Sequence, residues 1–195
     1  MSHTTRILDC PPDRVFAVFA DGWLFPSWVV GASRMRAVGD RWPHVGGKLH
    51  HSFGVWPAVL NDETTVLQWD PPHRFVIQPK GWPIGEARVA VEVEPHERGC
   101  VVHLHEQAVT GPGALIPVWL LDIGLHLRNI ETLRRLAHLA EGGAGGTHPV
   151  DAAEPTEADR APAEFPKRSF AARTASLVVV AAPLLFLAGR LQRRL

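Results

Sequence analysis

Residues 86–109 read Glu86-Ala87-Arg88-Val89-Ala90-Val91-Glu92-Val93-Glu94-Pro95-His96-Glu97-Arg98-Gly99-Cys100-Val101-Val102-His103-Leu104-His105-Glu106-Gln107-Ala108-Val109. Two alternating runs flank the turn signal Glu97-Arg98-Gly99. In the first run Ala87, Val89, Val91 and Val93 share one face, with Arg88, Glu92 and Glu94 on the other. In the second, Val102, Leu104, Glu106 and Ala108 lie opposite Val101, His103, His105 and Gln107. Successive side chains of a strand point to opposite sides, so this period means two strands with one face buried and one wet. Gly111-Pro112-Gly113 then ends the sheet, and the period changes. Over residues 115–141, Leu121, Leu125, Ile130, Leu133, Leu136 and Leu139 form an apolar helical stripe, with Arg128, Glu131, Arg134 and Arg135 on the wet side. Pro117 suits the first turn, and Gly142-Gly143 stops the helix.

Working back from this pair, residues 33–38, 48–54, 58–69 and 74–78 are short strand-like runs. Gly46-Gly47, Asp70-Pro71-Pro72 and Gly81-Trp82-Pro83 punctuate them, as in an antiparallel meander. A first strand is expected at 3–9. A helix follows from Pro12 to Ala20, with Val15, Phe16, Val18 and Phe19 on its apolar face, and a very short helix or turn from Trp23 to Trp28. The order is strand, two short helices, six strands, long helix. This is an α+β class: a twisted antiparallel sheet of about seven strands wrapped on a long C-terminal helix. The helix must cross the sheet, since nothing else can cover its apolar side. The space between them is either filled by side chains or left as a cavity.

The chain of 195 residues has zero formal net charge, which argues against a nucleic-acid partner. The charge is unevenly spread. Residues 1–141 carry 13 Lys/Arg and 15 Asp/Glu; residues 142–166 carry Arg160 against five acids; residues 167–195 carry six Lys/Arg and no acid. Residues 142–173, rich in Gly, Ala, Pro and Glu, are expected to be a flexible linker. Residues 174–195 hold the uncharged run 174–189, bracketed by Lys167, Arg168 and Arg173 before and Arg190, Arg193 and Arg194 after. That run is short for a spanning helix, which needs ~20 apolar residues, although flanking arginines can snorkel. It is expected to form a C-terminal apolar helix that anchors the chain on the cytoplasmic side of the cell membrane. A helix docked on the domain, or a poorly ordered tail, is the alternative. Cys10 and Cys100 read as free thiols in a reducing compartment, with a Cys10–Cys100 bridge as the other possibility.

The motifs together resemble a known group. Pro12-Asp13-Arg14-Val15-Phe16 opens an early helix, followed by Asp21-Gly22, Trp28-Val29-Val30-Gly31 and Trp42-Pro43-His44-Val45-Gly46. The strand from Gly99 to Glu106, and Arg128-Asn129 with Leu133 and Leu136, complete the set. In order and spacing they resemble the START-like helix-grip superfamily, in particular the bacterial polyketide cyclase/dehydrase and lipid-transport group. The resemblance covers most of residues 3–141. It implies a deep apolar cavity under the C-terminal helix, but no single function, because members include carriers, chaperones and cyclases.

Candidate residues follow from the faces. Glu106 shares the inner face, where it could orient a ligand, act as acid or base, or pair with Arg88 or Arg128. His50 and His51 point to opposite faces, so at most one reaches a cavity; His51 is the second acid–base candidate. Trp28, Trp42, Phe53, Trp69, Trp82 and Trp119 are candidate cavity walls or plain core, and Arg88 is a candidate ligand contact. Asp122 and Arg128 do not share a helical face, and Arg128-Asn129 reads as a polar anchor between helix and sheet. His103 and His105 could chelate a metal but sit on the wet face. No metal or cofactor is expected, since no metal-binding, nucleotide-binding or nucleophile motif occurs. The expected function is to bind or carry a small hydrophobic molecule (lipid, isoprenoid or polyketide-like) at the membrane. A cyclase or dehydratase using Glu106 or His51 is the alternative, and a filled-core interaction module the third possibility.

Overall fold

The structure, a computed structural model, describes residues 2–55, 58–81, 85–108, 118–145 and 154–164. Seven strands form one antiparallel sheet: β1 (Ser2–Leu8), β2 (Ala32–Val38), β3 (Lys48–Val55), β4 (Ala58–Asp70), β5 (Arg74–Pro79), β6 (Ala87–His96) and β7 (Gly99–Ala108). Their order is β1-β7-β6-β5-β4-β3-β2. Each consecutive pair from β2 to β7 is a hairpin neighbour, and β1 closes against β7. Helices α1 (Pro12–Ala20) and α2 (Phe25–Trp28) lie between β1 and β2, joined by a 3-10 turn over Gly22–Leu24. The long helix α3 (Val118–Glu141) follows β7.

Local chemistry explains the helix ends. Pro12 opens α1, where its missing N–H is no loss, and Asp13 sits in the first turn, where a negative charge suits the helix dipole. The Asp21 carboxylate accepts the Trp23 N–H at 3.0 Å and starts the 3-10 turn. At the end of α3, Gly143 adopts φ +73°, and its N–H and that of Ala144 return to the carbonyls of Ala140 and Leu139. A residue with a Cβ would be strained there, which is why the Gly142-Gly143 pair stops the helix.

The register fixes the faces. Val89 stands opposite Glu106, Val91 opposite Leu104 and Val93 opposite Val102. These side chains are buried on the inner face, beneath α3, as their alternation predicts. Of the expected α3 stripe, Leu133 and Leu136 are buried and Leu139 is half-buried against the core, whereas the side chains of Leu121 and Leu125 lie outside the described residues. Among the described side chains of α3 the buried ones are Asn129, Thr132, Leu133, Leu136, Ala137 and Ala140, and Ile130 departs from the expectation at 43% exposed. Those six recur at i, i+3, i+4 spacing, and Ile130 lies about 100° around the helix from Asn129.

Part of the segment expected to be linker is folded. Residues 154–164 lie along β4 and contain a single-turn helix, α4 (Glu157–Arg160). Thr156 and Asp159 form a reciprocal capping box. Gln68 holds the segment by two main-chain bonds: its amide N–H donates to the Arg160 carbonyl, and its carbonyl accepts the Ala163 N–H, both at 3.1 Å. Asp159 is buried and accepts the Val45 N–H at 2.7 Å, with His44 Nδ1 at 3.1 Å. Such a Pro/Ala/Glu sequence buries too little apolar surface to fold alone, but specific polar contacts with β4 and the Val45 loop hold it. Burial alone would push the Asp159 carboxyl up. Hydrogen bonds from Thr156, Val45 and His44 outweigh it and hold the group well below the usual carboxylate range.

A depressed carboxyl stabilises the folded form above its ordinary value of ~3.9, and that contribution disappears as pH falls through the lower folded value. Amide protection over 156–163 is therefore expected to persist at pH 4 and to vanish only below it. Asp159→Ala is expected to speed exchange there about tenfold at neutral pH, as loss of roughly 1.4 kcal/mol of local contacts requires. Unchanged protection in that variant would show that Asp159 does not hold the segment.

Among the described residues no helix is long and apolar enough to cross a membrane. The run 174–195 lies outside them.

Candidate functional site

β3, β5 and β7 end, and β4, β6 and α3 begin, at one end of the sheet; the β4–β5 and β6–β7 turns lie at the other. The turn end is closed by rings. Phe75, fully buried, packs on Phe19 at a centroid distance of 5.1 Å, on Trp69 at 5.3 Å and on Trp42 at 5.7 Å. Phe16 lies against Trp69, and Trp28 lies between Phe19 and Phe25. The Trp42 indole N–H donates to the Phe19 carbonyl at 3.0 Å. Three of the candidate wall residues, Trp28, Trp42 and Trp69, are thus packed into a closed aromatic core. Phe53 is half-buried over Gly31, whose φ of +103° brings a would-be Cβ to 2.6 Å from the Phe53 ring. Trp82 lies outside the described residues; Trp119 falls on the first turn of α3, and its side chain lies outside them too.

Two polar groups break the apolar inner face towards the other end. The first is Glu106, 4% exposed. Its Oε2 accepts from the Arg128 guanidinium at 2.5 Å and from the Asn129 amide at 3.1 Å. Arg128 also donates to the Asn129 carbonyl oxygen, and the Asn129 amide reaches Ser2 Oγ at 3.5 Å. Of the two partners open to Glu106, Arg128 is the one used. Arg88 stands opposite Gln107 on the outer face and donates to Gln78 Oε1 at 2.9 Å. It cannot share a ligand with Glu106, because a one-residue step along a strand crosses the sheet.

The second group is His51. The register sets it opposite Asp62, with Leu49 opposite Thr64, all facing inward. The His51 Nε2 lies 2.9 Å from Thr64 Oγ1 and 3.9 Å from the Asp62 carboxylate, and Phe25 covers the ring at 5.0 Å. Asp62 also accepts the Gly81 N–H at 3.0 Å. Burial pushes the His51 imidazole below its ordinary value, against the pull of Asp62, so it is neutral at pH 7. Asp62 and Thr64 escape sequence reading because the run Asn61-Asp62-Glu63-Thr64-Thr65 is polar in both phases.

The thiols are not nucleophiles. Cys10 and Cys100 are free and buried, and burial, reinforced by Cys10, pushes Cys100 up to about 12. Among the described residues no three His, Cys, Asp or Glu converge as metal ligands. His3, His103 and His105 instead stack ring on ring on the outer face.

Residues 2–141 match the sequence profile of the family described as polyketide cyclase / dehydrase and lipid transport. The chain belongs to that family. No curated protein matches it. Several solved structures share the fold of this polyketide cyclase / dehydrase and lipid transport domain. Protein CV1439 from Chromobacterium violaceum is 20% identical, with TM-score 0.56, over 71% of this chain and 96% of its own. Protein NE0264 from Nitrosomonas europaea is 17% identical, with TM-score 0.57, over 72% and 93%. The di-domain ARO/CYC StfQ from the steffimycin biosynthetic pathway is 15% identical, with TM-score 0.57, over 73% of this chain and 50% of its own. At these identities the likeness establishes the helix-grip architecture of the family and nothing finer.

Proposed function

We propose that the chain binds a small hydrophobic molecule, of lipid, isoprenoid or polyketide-like character, on the inner face of the sheet under the first half of α3. The observation that carries this reading is the pair of polar groups, buried Glu106 and Asn129 with half-buried Arg128, and buried His51, Asp62 and Thr64, set among the apolar side chains of the inner face. A core that served packing alone gains nothing from burying them. A ligand pocket has this composition, apolar walls with a few placed polar groups. The family description, which joins cyclases with lipid transport, supports the same class of ligand.

In this reading residues 174–195 keep the domain at the cytoplasmic side of a membrane that supplies the ligand. The apolar run between basic flanks supports it. The docked segment 154–164 leaves residues 165–173 of the sequence between the domain and that run.

A second reading, a cyclase or dehydratase, is favoured by the buried neutral His51, which could take a proton in a dry site. Glu106 is less suited, since Arg128 and Asn129 already occupy its Oε2.

Diphenylhexatriene, which fluoresces only in apolar surroundings, is expected to bind the chain saturably at one site. Vesicles containing anionic lipid are expected to float the full chain but not a chain ending at 165. Absence of saturable binding contradicts the ligand reading; flotation of both chains or neither contradicts the anchor.

A further inference from the structure

Three imidazoles stack on the outer face where β1 meets β7. The register sets His3 opposite His105 and Thr5 opposite His103. His3 lies on His105 with ring centroids 4.4 Å apart and planes within 5°, and beside His103 at 5.7 Å. Thr5 Oγ1 reaches His103 Nδ1 at 3.0 Å and His3 Nε2 at 3.3 Å. Neutral rings tolerate this arrangement. Charged rings repel, and like charges facing each other across a strand pair are destabilising.

The surroundings offer little to offset such charge. Glu92 of β6, opposite His103, is the one carboxylate among the described residues within ion-pair reach of the stack, 3.8 Å from His105 Nε2. It already pairs with Arg74 of β5, itself a positive charge on that face. Further along β6, Glu94 stands opposite Val101 and Arg88 opposite Gln107. On the inner side of β1, α3 presents His126 to Thr4 Oγ1 at 3.4 Å. Protonation of the three stacked rings therefore leaves the cluster with more positive than negative charge. Burial, the His3 and His103 rings and Arg74 hold the His105 imidazole below its ordinary value of 6.5, against the pull of Glu92. A base depressed in this way favours the closed strand above that ordinary value, and the contribution is lost as pH falls through the lower folded value.

β1 can leave without the rest of the sheet. It is an outermost strand, bonded to β7 alone. Leu8 is its one wholly buried apolar side chain; Ser2 and Thr4 are buried but polar, and Ile7 is 42% exposed. An element with so little apolar burial opens at lower cost than the core strands.

We propose that β1 is an acid-released edge strand: protonation of the stacked His3, His105 and His103 frees Ser2–Leu8 from β7. Its release also parts Ser2 and Thr4 from Asn129 and His126, and so opens the seam between the sheet edge and α3. The release follows whether or not the inner face holds a ligand.

Amide exchange of the full chain, read by mass spectrometry and corrected for the intrinsic effect of pH, tests this between about pH 7 and 5.5, above the range in which ordinary carboxylates titrate. Protection over residues 2–8 is expected to fall about tenfold, the size of two close like-charge pairs, while protection over residues 64–77 stays constant. His3 is exposed and common to both ring contacts, so His3→Gln is expected to fold normally and to keep protection over 2–8 constant across the same range. Titration of the histidine ring resonances in the unaltered chain gives a reading free of any variant, with His105 expected to take its proton below its ordinary value. Constant protection over 2–8 in the unaltered chain, an equal fall in His3→Gln, a matching fall over 64–77, or a His105 ring that titrates at or above its ordinary value overturns the inference.

Discussion

Phe75→Ala is expected to lower the stability of the domain by about 3–5 kcal/mol, the range for truncating a wholly buried aromatic. Phe75 has no exposed surface and touches the rings of Phe19, Trp42 and Trp69. Those neighbours come from α1, from the β2–β3 connection and from β4. No single one of them can move to fill the cavity, because each is held in its own element and packed elsewhere. A domain of this size has roughly 5–15 kcal/mol to lose, so the variant should sit near the edge of folding at 37 °C. Denaturant unfolding followed by Trp fluorescence measures it. Trp23→Ala is the control, since Trp23 is 55% exposed, and it should cost little. A Phe75→Ala loss below about 1 kcal/mol would mean that the closed end is loosely packed.

Glu106→Ala is expected to cost about 2–3 kcal/mol. Asn129 is wholly buried, and removal of the carboxylate takes away the main acceptor of its amide. The same change strands the Arg128 guanidinium. Breaking a fully buried pair costs about 3–5 kcal/mol, but Arg128 is 31% exposed and can turn towards water, so the cost falls at or below the bottom of that range. Glu106→Gln keeps an oxygen for Asn129 and is expected to lose roughly 1 kcal/mol. A flat response to both substitutions would remove the trio from any role in holding α3 to β7.

The sheet was legible because its last two strands alternate cleanly, and this alone placed Glu106 inside. Arg128 and Asn129 were legible as an anchor through the resemblance of their helix motif, although the helical period put Arg128 on the wet side. The stripe of α3 was legible at Leu133, Leu136 and Leu139 but not at Ile130, since Asn129, which takes the inward place, counts as polar until its partner on β7 is known. Whether Trp28, Trp42 and Trp69 line a cavity or fill the core depends on Phe16, Phe19 and Phe75. Those contacts join residues far apart in sequence, and composition carries no trace of them. The docking of 154–164 had one local signal, the Thr156-x-x-Asp159 capping box, but its partners Gln68 and Val45 lie 92 to 114 residues earlier. His51 was recognisable as a candidate, whereas its neighbours Asp62 and Thr64 were hidden in a run without a period.

Native mass spectrometry of the full chain, purified gently from its own host and then extracted with solvent, tests the ligand-binding claim most directly. The expected result is a mass above that of the polypeptide, with the excess released by solvent as one apolar species. A protein of clean polypeptide mass with nothing in the extract would contradict it, and would point to an inner face completed by the chain's own side chains.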